Sequence, residues 1–155
     1  MITYLVGDAT VPATRPAVIA HVVNNIGAWG SGFTRAVSRR WPDVESVYRG
    51  WHRAGDNFGL GYSQATQVED GLWVVNMVAQ HGLRRAGGPA PIRYRALWTC
   101  LGFAATLARG HASLHMPRIG CGLAGGTWER VEPLVREACA GIDVYVYDPP
   151  EVPRA

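Results

Sequence analysis

Apolar positions along this chain recur in two alternating periods. Runs rich in Val, Ile and Tyr at 2–6, 17–23, 64–68, 72–78, 113–116 and 143–147 predict strands. Between them, helical spacing predicts helices over 33–41, 44–54, 93–109 and 128–140. In the third of these helices Tyr94, Leu97, Leu101 and Ala104 or Ala105 form a core-facing stripe, and Gly110 supplies the stop. Pro42 suits a first helical turn and opens the second helix just after Trp41. Trp51, Trp73 and Trp98 are expected in the core. The segment 82–91 contains Gly-Gly-Pro-Ala-Pro and reads as a mobile loop. Strands alternating with helices predict an α/β fold, with one sheet covered on both faces.

The strongest local signal is Met116-Pro-Arg-Ile-Gly-Cys-Gly-Leu-Ala-Gly-Gly126. A strand enters this segment and a helix leaves it after Trp128. Gly120, Gly122, Gly125 and Gly126 fall within seven positions, more than a simple chain reversal needs. Glycines let backbone N–H groups converge, and a helix start adds positive potential, so the segment suits a phosphate or diphosphate. A second site lies at 19–33, where a buried strand ends in Asn24-Asn25 and Gly27-Ala-Trp-Gly-Ser-Gly32 opens a helix bearing Arg35, Arg39 and Arg40. Two such turns at the carboxyl ends of strands in one sheet could clamp a two-phosphate ligand. Gly120 to Gly125 also spells G-x-G-x-x-G, but too little chain follows for a dinucleotide-binding dehydrogenase.

Composition narrows the partners. With 155 residues, 48% hydrophobic and 17% charged, the chain is expected to form a single domain over 1–155 with its own core. A net charge of +3 suits an anionic ligand, yet the arginines are too scattered for a nucleic-acid surface. Cys100, Cys121 and Cys139 form no C-x-x-C pair, and the histidines lack ligand spacing, so no disulfide framework, metal or cofactor is expected. No run approaches a membrane span and no basic leader precedes the first strand, so a cytoplasmic monomer is expected.

These motifs make the chain resemble a macrodomain, the ADP-ribose-binding module with a three-layer α/β/α fold around a mixed sheet. It is most similar to the branch containing the terminal ADP-ribose protein glycohydrolase and the yeast ADP-ribose-1″-phosphate phosphatase. The resemblance rests on Ile2-Thr-Tyr-x-x-Gly-Asp8, His21 to Gly32, Met116 to Leu123 and Val144-Tyr-Val-Tyr147. It implies that Asp8 and Ala9 contact the adenine, with Tyr147 and Asp148 nearby, and that Asn24 holds the distal ribose. Trp29, Gly30, Ser31, Gly32 and Phe33 would form one diphosphate loop. Gly120, Cys121, Gly122 and Leu123, flanked by Pro117, Ile119 and Ala124, would form the other.

The glycohydrolase of that branch uses a lysine nucleophile and an aspartate, which fall here on Gln80 and Ala124. An amide is no nucleophile and a methyl no acid or base. The chain contains no lysine at all, so a lysyl adduct is excluded independently of alignment. The expected activity is therefore removal of mono-ADP-ribose from protein or nucleic acid, most plausibly at acidic side chains, by a positioned water. Asn24 would orient the ribose, and Gln80 or His81 would contact the leaving group. His21 is an acid–base candidate, although a buried structural histidine is the plainer reading of its apolar strand. Cys121 sits where a helix start would favour a thiolate, or serves only as a small loop residue. Trp29 and Trp128 either flank the ligand or anchor the core. The alternatives are an ADP-ribose-1″-phosphate phosphatase and a non-catalytic ADP-ribose reader.

Overall fold

The computed structural model describes residues 1–150. Its elements follow the order β1 (Ile2–Val6), β2 (Ala17–Asn24), α1 (Phe33–Arg40), α2 (Pro42–Ala54), β3 (Ser63–Glu69), β4 (Leu72–Gln80), α3 (Tyr94–Ala108), β5 (Ser113–Pro117), α4 (Trp128–Ala138) and β6 (Val144–Asp148). All ten predicted elements form, with ends shifted by one or two residues. The strands make one sheet in the order β1-β6-β5-β2-β4-β3, parallel except for β3, which runs antiparallel to β4 at one edge. This is the mixed sheet of a three-layer α/β/α sandwich.

Side chains of β2 and β4 alternate between two apolar layers, as the two-residue period of a strand requires. Val18, Ala20, Val75 and Met77 pack with Leu97, Leu101, Val131 and Val135 of α3 and α4. On the opposite face Ala17, Ile19, Leu72 and Val74 pack with Val37 of α1 and Val44 of α2, and Val23 and Val78 pack with Tyr48. Among the described residues, no β5 or β6 side chain belongs to the apolar layer under α1 and α2. At those strands the segment between β1 and β2 is fastened by polar contacts instead: Ala13 N–H donates to the Tyr147 hydroxyl, and Thr14 Oγ1 lies 2.8 Å from Ser113 Oγ. Buried His115 links these groups, 2.7 Å from Ser113 Oγ and 2.8 Å from the Tyr147 hydroxyl.

The tryptophan expectation needs one correction. Trp51 and Trp73 are partly buried against the core, but Trp98 is 45% exposed. Its neighbours Leu97 and Leu101 carry the buried stripe of α3, so Trp98 is turned outward one position away from it.

Candidate functional site

β2 and β5 are adjacent in the sheet, yet β2 leads to helices on one face and β5 to a helix on the other. The chain therefore parts at their carboxyl ends, which is where ligands bind in open α/β sheets. A cavity of about 580 Å³ opens at this point. Its floor is the end of β2, from His21 to Asn24, and its walls are the loops after β2, β4 and β5.

The first wall, 25–32, is built around one amide. Asn24 Oδ1 accepts from Ile26 N–H, Ala28 N–H and the Tyr48 hydroxyl, while Asn24 Nδ2 donates to Ala28 O. Asn24 does line the cavity, with most of its hydrogen-bonding capacity committed to shaping the loop. Arg49 donates to Gly27 O, and Trp29 Nε1 donates to Ser38 Oγ at 2.6 Å. Gly27 has φ +75° and lies against the His52 ring, so no side chain fits there. The loop ends at Gly32, the N-cap of α1, which has no side-chain cap. The amides of 29–32 make no backbone hydrogen bond among the described residues.

The second wall, 118–127, folds back on itself. Gly126 N–H donates to Gly120 O at 2.7 Å and Gly125 N–H to Gly122 O at 3.0 Å. A Cβ on Gly126 would stand 2.5 Å from Gly120 O, whereas one on Gly122 would meet nothing within 4 Å. The amides of 122–124 likewise make no backbone hydrogen bond among the described residues. Two runs of unspent N–H donors thus flank one opening, which is the electrostatic requirement for a diphosphate.

The third wall brings Gln80, Leu83 and Arg84 from β4 and the loop after it. Gln80 Nε2 donates to Gly82 O at 2.9 Å, and Gly82 N–H donates to Asn25 Oδ1 at 2.8 Å. His81 Nδ1 accepts from Asn25 Nδ2 at 3.1 Å. Arg35, Arg84 and Arg118 line the cavity, and among the described residues no aspartate or glutamate does. Arg118 is engaged: it pairs with both Asp148 oxygens, at 2.6 and 3.0 Å, and sits over the rings of Tyr4 and Trp128. That guanidinium holds the Asp148 carboxyl below the usual range.

Most of the residues expected from sequence meet here. His21, Asn24, Gln80, Trp29, Gly30, Ser31, Gly32 and Phe33 line the cavity, as do Pro117, Ile119, Gly120, Gly122, Leu123 and Ala124. Asp8, Ala9, Cys121, Tyr147 and Asp148 are not part of its lining. Asp8 Oδ1 accepts from the Thr10 N–H and hydroxyl, an Asx turn after β1, and Arg40 Nε donates to that same hydroxyl. Ala9 is buried. Tyr147 is bound to the Ala13 amide, and Asp148 to Arg118.

His21 is fully enclosed, edge-on to Trp29 with ring centroids 5.6 Å apart. Asn76 spends its Nδ2 on Gln64 Oε1, so its Oδ1 accepts from His21 Nε2–H at 2.5 Å and Nδ1 carries the lone pair. Burial lowers the pKa of this imidazole to about 4, which keeps it neutral and removes it as an acid at neutral pH. For Cys121 the plainer reading, a small loop residue, fits: burial raises its thiol, outweighing Arg118, and Sγ donates to Ile119 O. The loop therefore holds a thiol, not a thiolate. Trp128 packs edge-on with Tyr4 outside the cavity. Sequence reasoning missed Arg35, Leu83, Arg84 and Arg118 as wall residues. Arg118 lies within the Met116 to Leu123 motif and Arg35 on the helix that follows the 19–33 segment, but Leu83 and Arg84 carry no pattern of their own.

No family model matches the sequence. A macrodomain protein from Streptomyces coelicolor is 51% identical, with 96% of this chain and 99% of that chain covered and a TM-score of 0.83. The chain belongs to the macrodomain family. Thermosipho africanus DarTG, solved in complex with ADP-ribose, shares the fold at 22% identity and TM-score 0.66, over 88% of this chain and 39% of that one. Among curated proteins, mouse chromodomain-helicase-DNA-binding protein 1-like is 31% identical over 94% of this chain, which spans only 17% of that protein's length. The ADP-ribose 1″-phosphate phosphatase of Candida albicans is 22% identical over 88% of this chain and 93% of its own.

Proposed function

We propose that this macrodomain is a hydrolase that frees ADP-ribose from modified protein or nucleic acid, acting on acidic side chains without a lysine nucleophile. The observation that carries the reading is the pair of donor-lined glycine loops flanking a cavity whose lining, among the described residues, has cationic and no anionic side chains. That arrangement suits a diphosphate. In this reading the adenine lies beyond the cavity lining, toward Asp8 and the Tyr147-Asp148 end of β6, and the Asn24–Gln80–Ala124 end receives the distal ribose.

At that end the attacking group is water. Gln80 is pinned through Nε2 to Gly82 O, and its Oε1 accepts no hydrogen bond among the described residues. It is placed to orient a water at the anomeric carbon. A glycosyl ester to glutamate or aspartate has a good leaving group, so orientation and exclusion of bulk water supply most of what the reaction needs. Leu83 and Leu123, both about half exposed, leave an apolar mouth open to a macromolecular substrate.

The Candida relative supports a second reading, dephosphorylation of ADP-ribose-1″-phosphate at the same end of the cavity. Turnover of glutamate-linked ADP-ribosyl protein and of ADP-ribose-1″-phosphate, followed side by side, separates the two. Release of ADP-ribose from the protein substrate supports the first reading. Turnover of the phosphate alone supports the second. Binding of free ADP-ribose with neither turnover makes the protein a reader.

A further inference from the structure

Among the cationic groups lining the cavity, Arg84 stands apart. Arg118 is held by Asp148, and Arg35 belongs to the first turn of α1 beside the first glycine loop. Arg84 comes instead from the loop after β4 and has no hydrogen-bond or ion-pair partner among the described residues. The start of that loop is fixed to the ribose end of the cavity: Asn25 N–H donates to Gln80 O, and Gly82 N–H donates to Asn25 Oδ1. The far end of the same loop joins the second glycine loop, where Ile92 N–H donates to Ala124 O. The Arg84 guanidinium lies against Gly125, with its Cζ 3.3 Å from where a Cβ would stand, just past Ala124. Gly125 has φ +77°, and the missing side chain is what lets the guanidinium rest on the backbone.

We infer that Arg84 is the leaving-group cation of this site: it binds the oxyanion carried on the anomeric carbon of the distal ribose. This rests on the hydrolase reading above. An unpaired guanidinium offers a planar fork that fits a carboxylate or a phosphate with two parallel hydrogen bonds. In the hydrolytic step the water oxygen bonds to the anomeric carbon. The bond from that carbon to the carboxyl oxygen breaks, its electron pair leaves on the carboxylate, and one water proton passes to solvent. Negative charge grows on the departing group during the step, so a cation there stabilises the transition state more than the bound ester. The same cation would hold a 1″-phosphate, and the two sources differ only in which substrate is turned over.

The test uses Arg84→Gln and Arg84→Lys, with Arg35→Gln as a control for the diphosphate. Calorimetry with ADP-ribose and with ADP-ribose-1″-phosphate, the latter confirmed intact at the end of each titration, reads the subsite by binding. Wild type should prefer the 1″-phosphate by about tenfold or more, and Arg84→Gln should lose that preference while its affinity for ADP-ribose stays within about twofold. Arg35→Gln should weaken both ligands together. In turnover, Arg84→Gln should lower kcat on the glutamate-linked substrate with KM little changed, and Arg84→Lys should recover part of the loss. A 1″-phosphate preference that survives Arg84→Gln, or an equal loss of both ligands, overturns the assignment. Wild type that prefers the 1″-phosphate but turns over neither substrate removes the hydrolase reading and leaves the subsite standing. Wild type that binds neither ligand removes both.

Discussion

Gly122 and Gly126 lie four residues apart in one loop and answer to different forces. A side chain at 122 meets open cavity, so Gly122→Val should leave stability within about 0.5 kcal/mol of wild type while blocking the ligand. A side chain at 126 meets the Gly120 carbonyl, the acceptor of Gly126's own N–H. Gly126→Ala should therefore cost about 1–3 kcal/mol and weaken binding as well. Denaturant melts paired with ADP-ribose calorimetry distinguish the two, and equal stability losses would contradict this division of roles. Gln80 presents a similar choice between scaffold and chemistry. Its backbone carbonyl carries the loop contact to Asn25 and its side chain a bond to Gly82. Gln80→Ala keeps the first, so it should cut turnover about tenfold or more with ADP-ribose affinity nearly unchanged. Unaltered hydrolysis would take Gln80 out of the mechanism.

At the scale of elements, each helix end is set by one or two residues. α2 opens with Pro42, carries Asp43 and Glu45 in its first turn, and ends at Gly55 in the left-handed region with φ +75°. A Cβ there would touch nothing, so Gly55→Ala isolates the backbone cost and should lower stability by about 1 kcal/mol. A chemical denaturation curve indistinguishable from wild type would show that the cap does not matter. α1 contrasts with α2. Neither has a side-chain cap, but α1 has no acid in its first turn and its N-terminus faces the cavity. A helix start left without a counter-charge stabilises an anion better than one already satisfied. β2 ends in a related way: its register with β4 shifts between Val23 and Asn24, so Asn24 pairs with Gln80 instead of the next residue in line. That irregularity brings both residues to the rim.

Across the whole molecule, stability depends on pH through two buried histidines, His115 among the polar contacts over β5 and β6 and His21 against Trp29 and Phe33. Burial lowers the pKa of both His21 and His115 to about 4, against 6.5 in an unfolded chain. Between these values the unfolded chain binds the extra protons. The stabilisation is therefore fully present above pH 6.5 and is lost as pH falls toward 4, by on the order of 2–3 kcal/mol per histidine. Denaturation at pH 7.5 and 4.5 should show this loss, and His115→Phe should show a smaller one. An identical pH slope in the variant would place the effect elsewhere.

The elements were legible in the sequence because each obeys a local rule: a period of two or 3.6, a proline at a helix start, a glycine after a helix end. Both glycine loops were legible as clusters between a strand and a helix; Gly27, Gly120 and Gly126 stand where a side chain would clash, whereas Gly32 and Gly122 leave open space for a ligand. The absence of lysine, which removes the lysyl mechanism, was also a property of the sequence alone. Packing decided the rest. Nothing local distinguishes Trp98, turned to solvent, from Trp73, packed on the core, because the face of a helix or strand is set by what lies opposite. The neutral state of His21 comes from burial beneath Trp29 and Phe33, brought from the β2 loop and α1, which outweighs the opposing hydrogen bond to Asn76 of β4. Arg84 lies in a loop with no periodic pattern, and only its contact with Gly125 in the second glycine loop gives it a place in the site. Local conformational preferences fix where an element begins and ends, whereas charge, burial and reach depend on residues brought together from distant parts of the chain.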